Sequence, residues 1–85
     1  MKPEISHNKN NCRFETVVDG YTAYVEYVIA DNTIDIIHTI VPREIGGKGI
    51  AAALVEAAYR YGDSQGLQRK ATCSYAAAWL KRQNN

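Results

Sequence analysis

Cysteine, proline and net charge are all scarce in this 85-residue chain, and each scarcity removes a class of protein. Two cysteines, Cys12 and Cys73, make no disulfide framework, and with two unclustered histidines they give no zinc-ligand spacing. Both are expected as free thiols in a reducing compartment. Ten Lys and Arg against nine Asp and Glu leave a formal charge of +1, which is no electrostatic footprint for DNA or RNA. Lys2, Lys9 and Arg13 near one end, and Lys81 and Arg82 near the other, are too scattered to form a phosphate track. No apolar run approaches the roughly 20 residues that span a bilayer. Met1 to Asn11 is polar and has no apolar core of a signal peptide. These absences point to a cytoplasmic protein with no membrane or nucleic-acid partner; they leave its oligomeric state open.

What is present is an ordinary globular balance, 46% hydrophobic and 22% charged, which excludes disorder. Length allows one core. Residues 1–11 read as a flexible leader, and 12–85 as a single domain. Arg13 to Val18 is a strand stopped by Asp19-Gly20, a hairpin signal. Tyr21 to Ala30 is a second strand, with Ala23, Val25 and Tyr27 on one face and Tyr24 on the other. Asp31-Asn32 suits another two-residue turn, because both side chains tolerate left-handed backbone. Thr33 to Val41 is a third strand, ended by Pro42, which cannot donate to a ladder.

Beyond Pro42 the period changes to helical. Ile50, Leu54 and Ala58 form one stripe with Ala51, Val55 and Tyr59 beside it. Gly62 is either the beginning of a stop or a close packing point, and Gly66 is the stop itself. Leu67 to Cys73 carries a fourth strand. Ser74 caps a last helix, Tyr75 to about Gln83, whose C-terminal basic residues suit the helix dipole. The order β-β-β-α-β-α predicts an α/β (α+β) fold. Its sheet is mostly antiparallel, with a right-handed parallel crossover joining the third and fourth strands.

The segment Gly46-Gly47-Lys48-Gly49-Ile50-Ala51 stands where the third strand hands over to the long helix. Glycines let a ligand approach the backbone, and the unpaired N–H groups of a helix start suit a phosphate, with Lys48 able to add a charge. The same composition also fits a flexible loop without a ligand. It is neither a Walker loop, since no Ser or Thr follows Gly-Lys, nor a dinucleotide fingerprint. Cys73, placed before the last helix, is either a thiol activated by that helix N-terminus or a small buried apolar residue. His38 shares its predicted strand face with Ile36 and Ile40, which suits a core residue as well as a base. Tyr75 can serve as an acid or simply pack.

The stretch HTIVPREIGGKGIAAAL, His38 to Leu54, resembles the coenzyme A motif of the GNAT acetyltransferases. Gly49 and Ala51 match its last two fixed positions, and Gly46 stands where that motif has Arg or Gln. CSYAAAWL from Cys73, VDGYTAYVEY from Val18 and the His38-Thr39 pair resemble segments of the very small, single-domain GNAT-like proteins. The resemblance spans most of the chain beyond Arg13 and implies a truncated GNAT-like fold. It implies an N-acetyltransferase that uses acetyl-coenzyme A, with a small-molecule or protein amine as acceptor. The alternative is a coenzyme A or acyl-coenzyme A binding module with little turnover. Coenzyme contacts are then expected from Ile40, Val41, Gly46, Gly47, Lys48, Gly49, Ile50 and Ala51. Cys73 and His38 are expected as a reactive pair, with Tyr75 as the acid for the departing thiolate.

Overall fold

A computed structural model describes residues 3–83. Five strands form one sheet in chain order: β1 (Ser6–Asn8), β2 (Arg13–Val18), β3 (Tyr21–Ala30), β4 (Thr33–Ile40) and β5 (Gln68–Ala71). The first four pair antiparallel and β4 pairs with β5 in parallel. Helix α1 (Ile50–Ser64) makes the crossover, and α2 (Ser74–Gln83) follows β5. The expected mostly antiparallel α/β fold with a parallel β-α-β unit is therefore present.

Both hairpin turns form as their residues require. Asp19 and Gly20 have φ of 52° and 83°, and Asp31 and Asn32 have 53° and 63°. Two consecutive positive φ values match the right-handed strand twist on either side. Helix α1 buries Ile50, Leu54, Val55, Ala58, Tyr59 and Gly62 against the sheet, following the predicted stripe. Gly66, with φ 73°, ends the connection, and Leu67 N–H donates back to Gly62 O at 2.9 Å. The core joins this helix face to Val25, Tyr27, Ile34 and Ile36 from the sheet and to Ala76 and Trp79 from α2. Trp79 stacks on Tyr59 with ring centroids 5.9 Å apart, so α2 lies on the same side of the sheet as α1.

The leader departs from expectation. Residues Ser6–Asn8 pair with β2 as an edge strand, and Lys9–Asn11 form a 3₁₀ turn. His7 supplies the reason. Its ring stacks on Phe14 at 4.0 Å, meets the edge of Tyr61 at 4.4 Å, and its Nε2 lies 2.6 Å from the Tyr27 hydroxyl. Thr16 Oγ1 donates to Glu4 O at 2.7 Å. A polar segment thus gains an aromatic anchor, and residues 1–2 of the predicted leader lie outside the described residues.

Candidate functional site

The site begins with a defect in β4. Its register against β3 runs Ile34 to Ile29 and Ile36 to Tyr27, then slips so that His38 faces Glu26 and Thr39 faces Val25. Ile37 is the extra residue. A bulge of one residue moves every later side chain to the opposite face. Ile34 and Ile36 point into the core, and beyond the bulge it is Thr39 that follows them inward. His38 is exposed on the outer face of the sheet, as is Ile40, which is 45% exposed. The uninterrupted alternation that placed His38 with Ile36 does not survive the bulge, and His38 is not brought to Cys73.

The same region ends the β4–β5 ladder. Pairing runs from Thr33 with Gln68 to Ile36 with Ala71, and a last bond joins Cys73 N–H to Ile36 O at 3.0 Å. The Asp35 carboxylate clamps the turn by accepting from Thr72 N–H and Thr72 Oγ1, both at 2.7 Å. The chain then enters α2, with Ala77 N–H bonded to Cys73 O at 2.9 Å. Cys73, rather than the expected Ser74, stands immediately before the helix.

Cys73 is half-buried, and its sulfur lies 3.4 Å from Thr39 Oγ1. Burial pushes its pKa up. The Thr39 hydroxyl, and after it the N–H groups of Ala76, Tyr75 and Thr39, outweigh burial and hold the thiol below its ordinary value.

On the other side of this junction, Val41 and Pro42 lead into a 3₁₀ turn, Arg43–Ile45, whose Ile45 is fully buried. Gly46, Gly47 and Gly49 follow, and α1 starts at Ile50 with no side-chain cap. The first bond into α1 is Ala53 N–H to Gly49 O at 3.1 Å, so the preceding amides at the helix start lie ahead of its ladder. Gly47 and Gly49 have φ of 76° and 77°, and a Cβ on either would meet no atom within 4 Å. These residues line an open cavity of about 300 Å³ together with Val41, Ile45, Ala51 and Tyr75. An open glycine backbone, a helix N-terminus and apolar walls fit an anionic group that carries an apolar tail.

Most of the expected coenzyme residues therefore meet: Val41, Gly46, Gly47, Gly49, Ile50 and Ala51 share the cavity with Tyr75. Lys48 does not join them. Its Nζ pairs with Asp19 of the β2–β3 turn at 3.1 Å, an exposed ion pair that directs the side chain away. Sequence reasoning also missed Thr39, Ile45 and Asp35. Ile45 carried a signal, as the one large apolar residue in an otherwise polar loop. Among the described residues no cluster of His, Cys, Asp and Glu is arranged to hold a metal, and no helix is long and apolar enough to cross a membrane.

A family model for GCN5-related N-acetyltransferases matches residues 13–85. The chain belongs to the GCN5-related N-acetyltransferase family. Its fold superposes with TM-score 0.76 on an NMR solution structure from Staphylococcus aureus, that of a GCN5-like protein described as a candidate N-acetyltransferase. The two sequences are 29% identical, and the match covers 98% of this chain and 82% of the other. As a GCN5-related acetyltransferase the chain is an enzyme of acyl transfer, and coenzyme A binding is typical of the family. In this acetyltransferase the glycine loop and the junction carrying Cys73 are joined through Tyr75, which follows Cys73 by two residues and lines the cavity.

Proposed function

We propose that this acetyltransferase uses acetyl-coenzyme A and delivers the acetyl group to an amine, borne by a small molecule or by a protein. The cavity of about 300 Å³ carries this reading, because it unites the glycine loop, the first turn of α1 and Tyr75. Amides from Gly47 to Ala51 would hold the pyrophosphate at the positive end of α1, where the dipole and the unpaired N–H groups act together. The absence of a long side chain at Gly46 leaves this contact to the backbone. Val41, Ile45 and Ile50 form the apolar wall.

Acetyl-coenzyme A, when bound, supplies the acetyl group as a reactive thioester. Cys73 offers a nucleophilic sulfur at the start of α2, and Tyr75, a residue of the cavity wall, carries a hydroxyl able to give a proton to a leaving thiolate. His38 has no part in this arrangement, since it faces the other side of the sheet.

Calorimetric titration with coenzyme A tests the binding site, with saturable binding expected. Ala51→Phe fills the cavity from the first turn of α1 without straining the backbone. It should lower affinity at least tenfold while the thermal melt changes little. Absence of saturable binding to the unaltered protein would overturn the reading. Transfer of labelled acetyl groups to a panel of amines separates an enzyme from a binding module. Peptide mass spectrometry after incubation with acetyl-coenzyme A should find an acetyl thioester on Cys73. Full turnover in Cys73→Ala without that adduct would remove the sulfur from the chemistry.

A further inference from the structure

The inward residue after the β4 bulge is the one that reaches the sulfur. We infer that Thr39 is a positioning residue for Cys73: its hydroxyl holds the sulfur at the start of α2 and stabilises the thiolate without a partner histidine. This rests on the proposed role of Cys73 and deepens it.

Three observations converge. Thr39 Oγ1 is 3.4 Å from Cys73 Sγ, across the point where β4 and β5 part. Cys73 is itself fixed by its N–H bond to Ile36 O, one residue before the bulge, so the bulge that turns Thr39 inward also sets their separation. The remaining surroundings favour the anion without adding a formal charge. The N–H groups of Ala76, Tyr75 and Thr39 act in the same direction as the hydroxyl, lowering the thiol's pKa. From α1, Tyr59 is the ionisable neighbour. Its phenol donates to Lys70 O at 2.6 Å, and burial keeps it protonated well above its ordinary range. Asp35, on the far face of β4, is occupied by Thr72.

The chemistry balances without another group. In the thiol form Cys73 donates to Thr39 Oγ1. When the sulfur loses its proton to water, the Thr39 hydroxyl rotates and becomes the donor. Thr39 neither gains nor loses a proton overall. A hydrogen bond to a charged acceptor is the stronger kind, so the threonine favours the thiolate over the thiol.

The test is the pH dependence of iodoacetamide alkylation, resolved by peptide mass spectrometry into Cys73 and the exposed Cys12. Thr39→Val keeps the shape and removes the hydroxyl. Its Cys73 midpoint should move to higher pH, with alkylation about tenfold slower at pH 7, the order expected for one bond to a charged group. The Cys12 profile should not move. Thr39→Ser should restore the Cys73 profile, which a purely packing role for the methyl group would not allow. Thr39→Ala serves in place of Thr39→Val if the valine variant fails to fold. Coenzyme A titration of the same variants keeps the two ideas apart. Unchanged binding with a shifted alkylation midpoint supports the inference. An unshifted midpoint in a folded variant overturns it whether or not coenzyme A binds.

Discussion

Gly62 lies in the middle of the last turns of α1, where a Cβ would stand 2.5 Å from Ile34 Cγ2. Ile34 is fully buried, so the side chain cannot swing aside. Gly62→Ala gains up to about 1 kcal/mol of helix propensity, but overpacking of this kind costs about 1–3 kcal/mol. The net outcome should be a lower Tm. Each lost kcal/mol is worth about 4–8 °C in a domain of this size, and a thermal melt reads it directly. From the sequence Gly62 had two possible roles, and only the approach of α1 to β4 decides for close packing. Thr39 illustrates the same limit. His38 and Thr39 are adjacent and both chemically suited to a thiol, and a strict alternation selects the histidine. One inserted residue at Ile37 selects the threonine instead, and nothing local to the sequence announces that bulge.

Elements whose signals are local were legible. The Asp19-Gly20 and Asp31-Asn32 turns and the stripe of α1 are each specified by residues within a few positions of one another, and each forms as read. Elements held by distant partners were not. Lys48 is turned away from the cavity by Asp19, 29 residues earlier, and β1 is held by Phe14, Tyr27 and Tyr61. The polar composition of residues 1–11 hides a single well-placed histidine. Removing residues 1–11 should therefore destabilise the domain, contrary to the expectation for a flexible leader. Phe14, 6% exposed with β1 in place, would lose its cover, and Thr16 would lose its bond to Glu4 O. Uncovering one large aromatic costs about 1.5–3 kcal/mol, so a fall of about 2–3 kcal/mol is expected in urea titration. A midpoint unchanged by the deletion would show that β1 adds no stability.

At the scale of the whole molecule, the groups that hold the sheet edge and the core set a pH window. His7 is held below its ordinary pKa of 6.5, first by burial among aromatic rings and then by the charge of Lys9. Its neutral form is the one the folded protein favours. Below pH 6.5 the unfolded chain takes up the proton before the folded one, so the contribution of His7 is complete above 6.5 and is lost as pH falls. The alkaline limb has the opposite sign. Burial, followed by the charges of Cys12 and Tyr61, pushes Tyr27 up to about 12 from 10.0. Burial also raises Tyr59, further still. Between pH 10 and about 12 the unfolded chain releases a proton that folded Tyr27 keeps, so stability falls with rising pH. Asp63, held down by its bond to Arg69, acts only below its ordinary 3.8 and is separable from His7 by range. Chemical denaturation from pH 4.5 to 6.5 reads the histidine limb. His7→Phe can keep the stack on Phe14 while removing the titration. It also leaves the Tyr27 hydroxyl without its partner, at a cost of about 1 kcal/mol. That variant should be less stable at pH 8 and should show a flatter slope between pH 6.5 and 4.5. An equal slope in both proteins would mean that another group drives the acid limb. Because β1 docks through His7, the protection of its amides against hydrogen exchange should fade over the same range as global stability declines, and in His7→Phe that extra loss should disappear.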